Sequence, residues 1–452
     1  MIFPVSRTEA TVEELLALVP EMDEMELLRL RVIAAAIPDP GRAWDSSSAY
    51  ATVDKRIVSA DDVERAVRDA EEAFRQYVTV LYEGLRPVFR SFYEGRGDEA
   101  AGHLVAMGER MEGEGRLKGA RQCYRAALTL SLPLLEKAPQ ILALRRIARV
   151  ALHLGEFQEA SQHYERSAQL ARDADDLRGE VVARTGMGNV LAWQGRWVDA
   201  EATYGDALLL AEGASEGDFT LELAQILYNL GHLATRMERL EEAEDWLARA
   251  FDRAEAAASP VDLAICHMNL GHLRYKQGRL EEARSAYDRA RLLPVSRSLL
   301  SGIASDIADV CLREGHVSQA EEWGRVAEEH AIAAGSAYIL GRMYQGRGNI
   351  ARALGDEDGF IFFEKALEIA AEKGYPFLEA ETRADYAELR RQFGGTEEAQ
   401  AYLERARELF QELGAVRDVA RMEAALAELR AQPAGFAIEP EEPEHPLAVA
   451  GD

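Results

Sequence analysis

With 452 residues, 48% of them apolar and 29% charged, the chain has the length of two or three globular domains and the composition of a folded protein. A formal charge of -27 argues against duplex DNA and anionic membrane as principal partners. Cys123, Cys266 and Cys311 lie far apart with no CxxC, and read as small buried hydrophobes of a reducing compartment. The opening MIFPVSRTEATVEELL lacks the build of a signal peptide, and no apolar run approaches the ~18 residues of a membrane span, so a cytoplasmic location is expected.

Residues 1–97 are expected to form an N-terminal helical region, either a cap or one or two decayed repeats. Two helices over 8–37 are interrupted near Pro20 and stopped by Pro38 and Pro40, and a polar loop covers 41–60. A long amphipathic helix then runs from Ser59 to about Gly95, with a kink at Pro87.

From residue 98 a pattern returns about every 40 residues. Gly115, Ala120 and Tyr124 reappear as Gly155, Ala160 and Tyr164, as Gly195, Ala200 and Tyr204, and as Gly278, Ala283 and Tyr287. Such a period marks stacked helical hairpins, and eight are expected over 98–413. A small anchor in each first helix (Gly108, Ala148, Gly188, Gly231, Gly271, Ala308, Gly348, Ala387) lets the two helices cross closely. The aromatic of the second helix is expected to wedge against the next hairpin. Two units are irregular: Gly324 replaces the aromatic in the sixth, and Gly359 with Phe363 takes over in the seventh. A capping helix is expected over 414–431, and a disordered acidic tail with Pro440, Pro443 and Pro446 over 432–452.

The string NLGHLRYKQGRLEEARSAY, with its Leu-Gly step followed by Tyr, Ala and Tyr, resembles the tetratricopeptide repeat (TPR). The units exceed the usual length and look like those of kinesin light chain, Pins-type adaptors, MalT-type regulators and Rap-type peptide receptors. The resemblance implies an all-α, right-handed superhelical solenoid whose first helices line a concave, peptide-binding groove. On that face it places Asn189, Asn229, His232, Asn269, His272, Asp309 and Asn349, and the asparagine amides could pair with the backbone of an extended peptide. Tyr228 and Tyr275 would add apolar contact, and Arg342, Arg352 and Arg391 would receive acidic groups. Early units instead present Glu109 and Glu112. Where the chaperone-adaptor branch needs basic residues for a carboxylate clamp, Thr185, Ile265 and Asn269 stand instead.

Strings that imitate catalytic motifs fall in the wrong context. GASEG around Ser215 has no strand before it, and GRGNIA at 346–351 lies inside a first helix. His232 and His272 occupy equivalent places in adjacent units but have no evident third metal ligand. The expectation is a non-enzymatic scaffold without cofactor or metal, whose partner is a protein or an extended peptide rather than nucleic acid or membrane. One alternative is a sensor whose superhelix responds to a small peptide or ligand and repositions the N-terminal helices, and a third reading is an enzyme or an enzyme's subunit.

Overall fold

Seventeen helices and no strand make up the described residues, which in this computed structural model are 87–88, 91, 96–132 and 137–431. The expected N-terminal helices before residue 87 and the acidic tail lie outside them. In chain order the helices are α1 (Gly97–Gly113), α2 (Leu117–Ser131), α3 (Ala138–His153), α4 (Phe157–Asp173), α5 (Leu177–Trp193) and α6 (Trp197–Glu212). There follow α7 (Thr220–Arg236), α8 (Leu240–Ala256), α9 (Pro260–Lys276), α10 (Leu280–Arg291), α11 (Arg297–Arg313) and α12 (Val317–Ala334). The last are α13 (Ala337–Leu354), α14 (Asp358–Lys373), α15 (Pro376–Gln392), α16 (Thr396–Glu412) and α17 (Val416–Ala431). Each odd-numbered helix up to α15 packs most extensively on the even-numbered helix after it, giving successive hairpins, and α17 stacks on α16.

The recurring glycine ends the first helix of a hairpin. Gly115 has φ 78°, and the next amide, Arg116 N–H, donates back to Met111 O at 2.8 Å. Gly155 repeats this with φ 76° and Glu156 N–H donating to Ala151 O at 2.9 Å. This left-handed closure satisfies carbonyls that the helix end leaves open, and glycine adopts it without a Cβ clash. At the fourth hairpin Glu238 holds the position at φ 58°, where its carboxylate pairs with Arg417 at 3.1 Å.

The anchor glycines are notches cut for an aromatic ring. A Cβ on Gly108 would stand 2.5 Å from the Tyr124 ring, and one on Gly348 would stand 2.6 Å from Phe363. Gly188 and Gly271 hold Tyr204 and Tyr287 in the same way, and Gly231 holds Leu247. The ring therefore packs on the first helix of its own hairpin, which corrects the expected wedge against the next one. Tyr164 is the exception. Its own anchor is Ala148, whose methyl fills the notch, and the ring leans instead on Gly186 of the following hairpin. Gly324, where the aromatic is missing, makes room for Ile350 of the next first helix.

The coil also closes on itself. Gly115 abuts the backbone of Ala333 and Ala334, Gly155 abuts Lys373 and Tyr375, and Gly195 abuts Leu413 and Pro376. Each hairpin turn thus meets the inter-hairpin turn that lies five hairpins further along the chain. An aromatic seam fills the junction. Trp193 stacks on Tyr338 at 4.9 Å, Phe157 meets Tyr375 edge-on at 5.4 Å, and Trp197 meets Phe377 at 5.3 Å. Apolar area and ring geometry both favour these contacts.

Candidate functional site

Because Arg236 of α7 reaches Glu381 of α15 at 3.7 Å, the face of the first helices that carries these residues looks inward across the coil. A ladder of polar contacts runs along it from one first helix to the next. His232 and His272 have ring centroids 5.5 Å apart, and His272 Nε2 lies 2.7 Å from Asp306 Oδ2. Arg342 donates to Asp306 at 3.3 Å and lies 3.8 Å from Asp309 and 3.6 Å from Glu381. Asn349 and Gln345 donate to Asp385 at 2.9 and 2.8 Å. In the early hairpins Arg149 pairs with Glu112 at 2.7 Å, and Arg146 pairs with Glu109.

The enclosure sets the charge states. Burial pushes the Asp309 carboxyl up to about 7, against the pull of Arg342 and with neighbouring Asp306, Asp385 and Glu381 adding to the rise. Burial would also raise Asp306, but His272 and then Arg342 outweigh it and hold that carboxyl below its usual range. Glu381 is likewise lowered, as Arg236 and Arg342 overcome its burial. His232 is driven well below its ordinary value by burial, reinforced by Arg236 and His272, and is a neutral imidazole at neutral pH. The side chains of Arg342, Glu381 and Asp309 keep 21%, 20% and 25% of their accessibility, so this interior is a narrow polar lumen rather than a dry core.

The residues singled out from sequence are distributed unevenly in this lumen. His232, His272, Arg342, Asn349 and Arg352 belong to one connected network, with Arg352 donating to Asn349 Oδ1 at 3.4 Å. Asn189 accepts a hydrogen bond from the Tyr204 hydroxyl at 2.6 Å, and the buried Asn269 donates to the Tyr228 carbonyl at 3.1 Å. These two amides brace the scaffold, whereas Asn229 is half-buried about one turn before His232 on α7. Tyr275 lies beneath the Arg313 guanidinium at 4.2 Å. Arg391 is apart from the others, exposed and paired with Glu388 on its own helix. His232 and His272 lie side by side, and among the described residues no group of three His, Cys, Asp or Glu is placed to hold a metal.

Sequence reasoning missed Asp306, Asp385, Glu381 and Arg236. A signal for the first two was present. They stand two residues before the anchors Ala308 and Ala387, as Asn229 and Asn269 stand before Gly231 and Gly271. Glu381 and Arg236 gain their meaning only from coil closure.

Known proteins extend the description. Residues 134–354 match the MalT-like TPR region. No curated protein matches the chain by sequence. Among solved structures, the Rap conjugation gene regulator of plasmid pLS20, in complex with the Phr* peptide, is 13% identical with a TM-score of 0.52, covering 71% of this chain and 97% of its own. NprR in complex with its cognate peptide NprX is 13% identical with a TM-score of 0.49, over 75% of this chain and 99% of its own. A Rap protein complexed with competence and sporulation factor is also 13% identical with a TM-score of 0.49, over 74% and 98%. Among the described residues no helix is long and apolar enough to cross a membrane. In its residues 134–354 the chain is similar to the MalT-like TPR region, and its described residues share the fold of tetratricopeptide-repeat proteins.

Proposed function

We propose that this protein is a peptide-responsive TPR regulator that takes an extended peptide or protein segment into the lumen lined by its first helices. The observation that carries this reading is the convergence of ionised and hydrogen-bonding side chains from five consecutive first helices, α7 to α15, on one enclosed space. Buried polar side chains on rigid elements can fix a ligand backbone at low ordering cost. The pLS20 Rap regulator, which shares the fold, was solved with a peptide bound, and that supports a peptide as ligand. A rigid adaptor is the second reading. The sensor reading is preferred because the coil touches itself, so a ligand inside it has a closure to act upon. Binding rather than catalysis is proposed for this face.

The test is affinity selection from a random peptide library, with wild type compared against Asn229→Ala/His232→Ala. Both side chains are half-buried, about one turn apart on α7. Peptides enriched on wild type should lose at least tenfold in affinity for the double variant. Equal affinity, or no enrichment on wild type, would remove the lumen as the binding site.

A further inference from the structure

Neighbouring hairpins hold one another through interdigitated helix faces, but the two walls of the seam hold each other differently. One wall belongs to the first four hairpins, and the other runs from the end of the sixth hairpin through the seventh and eighth to α17. Between them run turn-to-turn contacts, aromatic rings with apolar side chains packed about them, and two ion pairs, Arg236–Glu381 at 3.7 Å and Glu238–Arg417 at 3.1 Å. Arg236 also lies over the Phe377 ring at 4.3 Å, so it touches both the polar and the aromatic parts of the late wall.

The late wall carries a cost that the hairpin interfaces do not explain. Ser336 Oγ and Tyr375 Oη are buried with no hydrogen-bond partner, beside the contacts of Gly335 with Gly115 and of Tyr375 with Gly155. Buried polar atoms without partners are disfavoured. Closing the coil thus gains ring and apolar contacts while stripping water from these polar atoms. Opening it reverses both. The two states are therefore drawn together in free energy, as a gate requires.

We infer that the seam is a gate to the lumen, latched by Glu381, which Arg236 grips from the opposite wall and Arg342 from beside it. The gate governs access to the inner face and so rests on that face being the binding site. Hydrogen-bonding groups of an entering peptide backbone supply partners for the orphaned atoms of the late wall. Reversing the latch charge sets a cation against Arg236 and Arg342 and drives the walls apart. Neutralising it loosens them to a smaller degree.

Spin labels on Val198→Cys and Val416→Cys report the gap directly. Both positions are exposed at 70% and 78%, they flank the Gly195–Leu413 contact, and the native cysteines are buried. In the unliganded full chain, pulsed dipolar spectroscopy should give a short, narrow distance distribution. Glu381→Lys should shift it to longer and broader values, and Glu381→Gln should fall between. Should the lysine variant lose its helical circular dichroism, the glutamine variant together with a salt titration of the wild type decides the matter, since screening weakens the same ion pair. Wild-type distances in every folded variant and at all salt concentrations would overturn the gate. The measurement needs no peptide, so its failure is distinguishable from failure of the peptide selection.

Discussion

The outer hairpin packing and the inner lumen obey opposite rules. Between the helices of a hairpin, glycine and alanine anchors meet rings that are almost wholly buried, such as Tyr124, Tyr204 and Tyr287. Shape decides stability there, and little tolerance remains for an added methyl. On the inner face, charge decides it. Arg342, Asp306, Asp309 and Glu381 satisfy one another incompletely, at distances from 3.3 to 3.8 Å. One region fixes the fold and the other keeps chemistry available. The contrast shows how a repeat protein can carry a uniform scaffold and a non-uniform interior on the same helices.

The largest effect that would sharpen this contrast is expected inside the lumen. Arg342→Met removes the cation shared by Asp306, Asp309 and Glu381, and breaking a buried pair in this way costs about 3–5 kcal/mol. The partial exposure of these side chains favours the lower end. Urea unfolding measures the loss, and a change below about 1 kcal/mol would mean that the network is solvated like a surface.

A smaller effect is expected in the packing region. Gly271→Ala drives a methyl into the Tyr287 ring, and overpacking of this kind costs about 1–3 kcal/mol. The same variant in a Tyr287→Phe background should cost as much, because the ring and not the hydroxyl blocks the Cβ. If Gly271→Ala is neutral, the notch is not what holds the hairpin together.

The pH dependence of Asp309→Asn separates the two rules further. The folded carboxyl titrates at about 7 whereas the unfolded one titrates near its ordinary value, so the native state retains a proton that the unfolded state has released. Wild-type stability attributable to this group is therefore full below about pH 4 and falls as pH rises to about 7. The advantage of the asparagine variant should grow across that window and level off above it, seen as a difference in melting temperature between pH 5 and pH 8. His153, lowered by burial to about 4, acts in the opposite sense: the stability of its neutral form is lost as pH falls from about 6.5 to about 4. It acts equally in both proteins and cancels from the difference. A pH-independent difference would show that Asp309 is ionised in solution as freely as a surface carboxylate. The smallest effect belongs to Arg391→Ala, which removes only an exposed pair with Glu388 and should change stability by less than about 0.5 kcal/mol.

These regions also differ in how far they could be read from sequence. The hairpins were legible because their signals are local: Gly115, Ala120 and Tyr124 lie within ten residues and recur in register. Even the irregular seventh hairpin kept its logic, with Phe363 over Gly348. The first-helix rows of the inner face were partly legible, since Asn229, His232, Asn269 and His272 sit at fixed offsets from their anchors. What those side chains touch was not. Asn189 is taken by Tyr204 and Asn269 by the Tyr228 carbonyl, and an offset cannot state a bonding partner. Glu381 looked like one acid among many, and its significance depends on Arg236 coming round the coil to meet it. The seam contacts of Gly115 and Gly155 left no trace in the period, because hairpin turns need glycine whether or not anything packs on them.

Closure of the coil has a consequence for how this array can evolve. An open solenoid tolerates duplication or loss of a unit, since each repeat answers only to its neighbours. Here the turn at Gly115 meets the one at Ala333–Gly335, and the next two turns meet partners at the same interval. Losing or gaining one hairpin between these walls would move every seam contact out of register at once, leaving Trp193 and Trp197 without Tyr338 and Phe377. Hairpins added beyond α17 would leave those contacts untouched. The number of units between the walls is thereby constrained in the way that strand number is constrained in a closed barrel, and copy number becomes an inherited property of the fold.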